Sequence, residues 1–506
     1  MPRPRRALVR RAVSRRAFAG RPGPMAAVLS VGALLLGLVA CSGDPDGDQG
    51  EATGTPSTSS TSSAASDTDG TDPTGPAPSP ADVAAMDDAE LATTAFVGGY
   101  PLVVTMRTLR SLGALVGTNA LFWQTELSGP TSRVIVAPNR DTFYSVAVLD
   151  LRAEPLVLTL PEITDRYVTY QFLDAWTDSF AYLGTRETGG RAGTWIVTPP
   201  GWTGNVPEGM EQVASPTPQL FLLGRLAVEG EGDATAIAAV RAEASLQPLS
   251  GALGEPAPGV PPALGTAAGT AQDVPTDASF FDELLEALAV NPPTTPFQAA
   301  LFRELATRFD LPEGGPVPGD PAVVSVLDDA AAAGDARIDE AVDSEGGPVG
   351  GWAVRPDIGR YGDDLLGRAL VARVGWGANV DEEAVYPVGR VDAAGDPLSG
   401  EHTYRITFPP GGLPPVDAFW SLSVYGDDMF FTAHPSGRYT TGSEDPELVA
   451  GPDGSVEIVL AHEEPADARN WLPVPAGPFV LMVRLYLPGS AILDGSYQLP
   501  PIEPMP

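Results

Sequence analysis

One cysteine, Cys41, occurs in 506 residues. No disulfide can close within such a chain, so whatever folds is held together by its core alone. At 43% hydrophobic residues the chain is long enough to bury one. Lysine is absent as well, because all 30 basic residues are arginine. That excludes a Walker-type phosphate loop and any Schiff-base or pyridoxal chemistry. No cofactor is expected.

The position of Cys41 carries further meaning. It closes Leu38-Val39-Ala40-Cys41, after an apolar run of 16 residues from Met25. A membrane-spanning helix needs roughly 20. Eight arginines and no acid precede Cys41. A positive stretch, a short apolar run and small residues at a cut form the pattern of a secretory signal. The four residues ending at Cys41 resemble the lipobox of bacterial lipoproteins. Ser14-Arg15-Arg16-Ala17-Phe18 resembles the twin-arginine export motif, although a general secretory signal would look similar. The expectation is a signal peptide over residues 1–40 and lipidation of Cys41. At roughly 0.8 kcal/mol per buried CH₂, more than one acyl chain holds a protein stably to a bilayer. The expected location is the extracytoplasmic face of the cell membrane. An uncleaved anchor helix would place the domain on the same side. Acylation also removes the only thiol, so no thiolate nucleophile and no cysteine metal site remain.

Without the leader, 22 arginines face 65 acids, a net charge of about −43. So acidic a surface repels nucleic acid and anionic lipid. A GC-rich coding bias is the simpler source of the composition.

Residues 41–82 are Ser, Thr, Asp, Gly and Pro with almost no apolar content, which reads as a disordered tether. At roughly 5–6 Å × √n, its rms reach is about 35 Å. Residues 83–250 read as a helix followed by a β-sandwich domain. The helical pattern over 83–117 is broken by Gly98-Gly99 and Pro101. Short β-branched or aromatic runs follow at 132–137, 143–151, 156–160, 167–173, 194–198 and 220–228, separated by turn residues. After a Pro/Gly/Ala loop at 255–269, residues 251–375 form a helical middle, with helices at 280–290, 296–309, 321–333 and 363–374. Residues 376–506 return to strands, at 402–408, 418–425, 455–462 and 479–487.

Pro138-Asn139-Arg140-Asp141-Thr142-Phe143-Tyr144-Ser145, with Arg166-Tyr167, Asp174, Gly201-Trp202 and Arg225, resembles the bacterial domain of unknown function DUF1254. Tyr386-Pro387, Gly400, Tyr404, Phe419-Trp420-Ser421-Leu422, Tyr425, Asn470-Trp471-Leu472-Pro473 and Arg484-Leu485-Tyr486 resemble its companion, DUF1214. The resemblance spans about residues 95–500. It implies a mainly β fold: an immunoglobulin-like sandwich, a helical insertion and a C-terminal jelly-roll-like sheet domain. It implies no established activity. Where the usual pattern has Asn-Asn-Asp-Thr, this chain departs at one position, with Asn139-Arg140-Asp141-Thr142.

Several residues are candidates for chemistry. Asn139 to Thr142 has the composition of a turn; in the functional reading Asp141 and Tyr144 stand at a pocket edge, Asp141 as acid, base or orienting carboxylate. Asp174 and Asp178 flank Trp176 and suit paired-carboxylate work, while a salt bridge to Arg166 or Arg225 is the plainer use. Arg484 interrupts an apolar strand and shares a face with Val480, Met482 and Tyr486. It needs a carboxylate, a backbone oxygen or a ligand, with an internal carboxylate the plainer partner. Trp420, Trp471, Tyr425 and Tyr486 are sugar-stacking or core aromatics. Catalytic candidates are therefore Asp141, Tyr144 and Asp174; ligand-binding candidates are Arg140, Arg166, Arg225, Trp420 and Arg484. His402, His434 and His462 have no ligand spacing, so no metal is expected. No Gly-x-Ser-x-Gly elbow occurs.

These features point first to an envelope protein binding a small or carbohydrate-like ligand between two β-domains. A metal-independent hydrolase or lyase using Asp, Tyr or Arg is the second reading. A structural protein that self-assembles as a homo-oligomer is the third.

Overall fold

A computed structural model describes residues 79–132, 137–228, 233–259, 263–265, 273–343, 349–466 and 469–505. Cys41, the leader, nearly all of the tether and most of the strand expected at 132–137 lie outside the described residues.

The N-terminal β-domain is a two-sheet sandwich. One sheet has the order β1 (Phe122–Trp123), β2 (Thr142–Asp150), β8 (Gln219–Ala227), β4 (Val168–Asp174), β5 (Ser179–Gly184). The other runs β7 (Glu211–Ala214), β6 (Gly193–Thr198), β3 (Leu156–Leu160), β9 (Ser245–Pro248). Phe143, Ala147 and Leu149 of β2 and Leu220, Leu222 and Leu226 of β8 meet Leu156, Leu158 and Trp195 between the sheets. Strands β2, β4 and β8 are buried on both faces. This is why β8, Gln-Leu-Phe-Leu-Leu-Gly-Arg-Leu-Ala, reads as a near-continuous apolar run. Strands β5, β7 and β9 gave no clear sequence signal.

The second face of the first sheet is covered in part by a helical body. Its axis is α1 (Asp88–Val116), 29 residues long. The expected break at Gly98-Gly99 and Pro101 does not occur. Packing overrides the helix-breaking cost of about 1 kcal/mol per glycine and about 3 for proline. The helix is buried over most of its length, and a Cβ on Gly99 would come within 2.6 Å of a methyl of Leu284. The glycine is therefore what lets a neighbouring helix close on it. Around α1 lie α2 (Ser279–Val290), α3 (Pro296–Arg308), α4 (Pro321–Asp343) and α5 (Leu365–Val374). Helix α3 starts where Thr295 accepts the Gln298 N–H at 3.2 Å and Pro296 takes the first position. Helix α4 runs ten residues past its expected end, because Gly334 does not stop it: a Cβ there would strike the Phe96 ring at 2.4 Å.

The C-terminal β-domain again pairs two sheets. One has the order β10 (Trp352–Ala353), β12 (Val388–Gly389), β18 (Phe479–Tyr486), β14 (Trp420–Gly426), β15 (Thr440–Gly442), with β11 (Ala384–Val385) also on β18. The other runs β17 (Trp471–Pro473), β16 (Val456–Ala461), β13 (Tyr404–Phe408), β19 (Glu503–Pro504). The alternation of β18 sorts its side chains cleanly. Phe479, Leu481, Val483 and Leu485 fill the domain core, while Val480, Met482 and Tyr486 belong to separate clusters on the other face. Tyr486 packs there on Tyr167 and Ala227 of the N-terminal domain. The fold is thus mainly β, with a helical insertion between two sandwiches.

Candidate functional site

The turn at Ala137–Asp141 clasps the two β-domains together. Asp141 N–H donates to Asn139 Oδ1 at 2.6 Å, the local turn that the composition suggests. Asn139 Nδ2 donates to Thr142 Oγ1 at 2.9 Å and to Tyr486 Oη at 3.0 Å. Tyr425 Oη donates to the Pro138 carbonyl at 2.9 Å. Arg484 donates to the Ala137 carbonyl at 3.0 Å, to Tyr425 Oη at 2.8 Å and to Ser423 Oγ at 2.9 Å. The expected carboxylate partner of Arg484 is replaced by neutral oxygens, with Asp141 nearby but not bonded to it. Burial works against the Arg484 charge, yet Tyr425, Asp141 and Tyr486 more than offset it and hold the guanidinium above its ordinary value.

A second buried knot lies alongside. Arg225, on β8, donates to Gln171 Oε1 and Asn379 Oδ1 at 2.9 Å each and to the Gly377 carbonyl at 2.8 Å, over the ring of Tyr144. It pins the loop after α5 to the first sheet. Tyr167 Oη donates to Glu383 Oε1 and Arg186 Nε donates to Glu383 Oε2, both at 2.8 Å. Tyr486 stacks on Phe419 at 4.3 Å between ring centres. Burial pushes the Tyr167 and Tyr486 hydroxyls well above their ordinary range, and the Glu383 and Asp141 charges add to it. Together these contacts form a seam that fixes one β-domain on the other.

Where the seam opens to solvent lies a cleft of about 930 Å³. Arg140, Asp141, Arg166 and Tyr167 contribute from the N-terminal domain; Trp420, Ser421 and residues 436–442 contribute from the C-terminal one. Ser421 Oγ donates to Asp141 Oδ2 at 2.6 Å, joining the two walls. Burial raises the Asp141 carboxyl above the usual range, while Arg484, Ser421 and Arg140 oppose that rise. Strand β15 is the edge of its sheet, and Leu422↔Thr441 is its central pair on β14. Tyr439 C=O and Ser443 N–H bond to β14, so by alternation the Thr440 peptide groups and Gly442 N–H point away from it. Thr440 and Gly442 line the cleft.

The structure sorts the sequence candidates into three places. Arg140, Asp141, Arg166 and Trp420 line the cleft. Tyr144, Arg225 and Arg484 are buried in the seam behind it. Asp174 lies elsewhere, at the end of β4, near Arg368 of α5. Its Oδ1 accepts the N–H groups of Trp176 at 2.8 Å and Asp178 at 2.9 Å. Asp178 pairs with Arg368 at 2.7 Å, not with Arg166 or Arg225. Arg166 bonds Asp233 and Asp165 instead. Burial and the Asp178 charge raise the Asp174 carboxyl.

Trp420 is only 2% exposed and packs on Phe408, so its ring is core rather than a stacking platform. Trp471 is likewise buried, its indole N–H donating to the Ala461 carbonyl at 2.9 Å. Among the described residues, no group of three or more His, Cys, Asp or Glu could hold a metal ion. Sequence reasoning misses Ser421, Tyr439 and Glu383 as site residues. Ser421 alone carried a signal, its place in Phe419-Trp420-Ser421-Leu422.

These observations define a class: a double β-sandwich protein with a helical insertion and a cleft between its sandwiches. Residues 118–248 match the family described as "Protein of unknown function (DUF1254)", and residues 383–490 match "Protein of unknown function (DUF1214)". The chain carries these two domains, in that order. Its fold is similar to that of the VPA0106 protein from Vibrio parahaemolyticus, at 22% identity and a TM-score of 0.64, over 83% of this chain and 100% of that one. An uncharacterised protein from Burkholderia cenocepacia is 13% identical, with a TM-score of 0.41, over 84% of this chain and 94% of that one. No curated protein matches the chain.

Proposed function

We propose that this is an exported, lipid-anchored envelope protein whose cleft between the β-domains binds a small, carbohydrate-like ligand. The cleft carries the reading: about 930 Å³ on a seam of fixed side chains, with Asp141 and Ser421 joined across it. That volume falls within the roughly 300–1,000 Å³ of small-molecule sites. Sugars are bound by carboxylate and hydroxyl oxygens, by peptide groups and by aromatic faces. Asp141, Ser421, Thr440 and Tyr439 offer these around one space. Export and anchoring rest on the leader and on Cys41.

Calorimetric titration of the full chain with neutral oligosaccharides should show saturable binding. Asp141→Asn should weaken it about ten-fold, the worth of one hydrogen bond to a charged group. No heat with any sugar, or equal affinity in both proteins, would sink the reading. For the anchor, Cys41→Ser should move the protein from the membrane fraction to the soluble one; unchanged membrane association rejects a lipid on Cys41.

One observation favours a second reading, a hydrolase or lyase. Burial makes Asp141 hold its proton to a higher pH than an ordinary carboxyl, as a general acid must. Its signature would be turnover of a glycoside or ester that Asp141→Asn abolishes.

A further inference from the structure

We infer that the cleft is selective for a ligand bearing positive charge, an oligosaccharide with free amino groups. This rests on the cleft reading above and goes one step further, to the sign of the ligand's charge.

The lining holds three arginines, two of which already hold carboxylates. Arg166 pairs with Asp165 at 3.1 Å and with Asp233 at 2.5 Å. Arg438 pairs with Asp445 at 2.6 Å and with Glu447 at 3.2 Å. Arg140 donates to the Ser128 carbonyl and lies 5.5 Å from the ring centre of Tyr439. Seven carboxylates share that lining, so it is acidic by four charges. Three of them, Asp417, Glu444 and Glu464, are exposed and stand outside the ion pairs of the described residues. They come from separate segments, before β14, after β15 and after β16, that meet at the one cleft. Asp141 adds a carboxylate at the floor.

A uronic acid or a sugar phosphate would meet a lining where acids outnumber arginines seven to three, with only Arg140 outside the ion pairs of the described residues to receive it. A neutral sugar gains only hydrogen bonds. An ammonium group gains both hydrogen bonds and attraction, and it does so in a water-filled cleft where it stays partly hydrated. The negative charge of the whole chain draws such a ligand in and excludes acidic ones.

The test compares three oligosaccharides of equal length by titration calorimetry on the full chain: glucosamine, N-acetylglucosamine and galacturonate oligomers. Glucosamine oligomers should bind about ten-fold or more tightly than the acetylated ones, and galacturonate should not bind. The preference should shrink in high salt, as the screening length falls from about 10 Å at 0.1 M to about 3 Å at 1 M. The triple variant Asp417→Asn, Glu444→Gln, Glu464→Gln changes only exposed side chains. It should lose the preference for glucosamine over acetylated oligomers. Equal binding of amine and acetylated sugars overturns the charge inference and leaves the cleft reading standing. Tightest binding of galacturonate overturns it too. If no oligosaccharide binds, both fall.

Discussion

The interface between the two β-domains is dry at one end and open at the other, yet the same residue types build both. In the seam, Arg484, Arg225, Glu383, Tyr167 and Tyr486 are each at most 5% exposed. The bonds fixing the two arginines run to neutral oxygens. In the cleft, the side chains of Arg166 and Arg438 are 8% and 20% exposed and Arg140 is partly buried, whereas Asp417, Glu444 and Glu464 are exposed. A buried guanidinium with its hydrogen bonds made is part of the scaffold. An exposed carboxylate outside those ion pairs, such as Asp417, Glu444 or Glu464, is solvated by water that a ligand can displace. Residue type therefore says little about which polar groups do chemistry here; burial and partners decide.

The sharpest way to break this division is Arg484→Met. The substitution keeps volume but strips the bonds to Ala137, Tyr425 and Ser423, leaving buried oxygens unpaired. A loss of about 3–4 kcal/mol is expected in urea unfolding of the full chain. A loss under about 1 kcal/mol would mean that the seam is wetter than its burial implies.

Much of this was legible beforehand. The runs that became β3, β8, β14 and β18 show in the sequence because β-branched and aromatic residues line strands with both faces covered. Helix α1 reads as broken in the sequence because the costs of Gly98, Gly99 and Pro101 are local, whereas the packing that outweighs them comes from Leu284, far along the chain. The site is legible only in part. Asp141 stands out by its turn and Arg166 by the resemblance to DUF1254, and both line the cleft. Asp174 carries an equal sequence signal and sits elsewhere. Its surroundings are set by Arg368 on another element, which spacing along the chain does not reveal. Glu383 bears no motif at all, and its role depends wholly on Tyr167 and Arg186 reaching it from the other domain.

A second test sharpens the contrast through pH. Burial, then the Asp178 charge, pushes the Asp174 carboxyl from 3.8 up to about 7, against the pull of Arg368. A carboxyl raised on folding contributes stability that is whole below its unfolded pKa and is lost as pH climbs through the folded one. Stability should therefore fall between about pH 4 and pH 7 through this group. Asp174→Asn keeps an Oδ1 to accept the Trp176 and Asp178 N–H groups but cannot ionise. Its urea midpoint should vary less across that window and lie above wild type at pH 8. Parallel pH curves for the two proteins would show that the buried charge is compensated elsewhere.

The smallest effect, at Asp165, is expected beside a larger one, because a single arginine spans both environments. Arg166 touches Asp233, 7% exposed, and Asp165, 68% exposed. Asp233→Asn removes the buried partner and should cost about 3 kcal/mol, because the guanidinium cannot regain from water what it loses. Asp165→Asn removes a solvent-screened partner at the cleft wall and should change stability by less than about 0.5 kcal/mol. Each substitution removes one negative partner from the same cation, so their ratio in urea unfolding measures burial rather than charge. Equal costs would erase the line drawn here between scaffold and site. A large ratio, with glucosamine-oligomer affinity changed in Asp165→Asn, would place that line through the guanidinium of Arg166 itself.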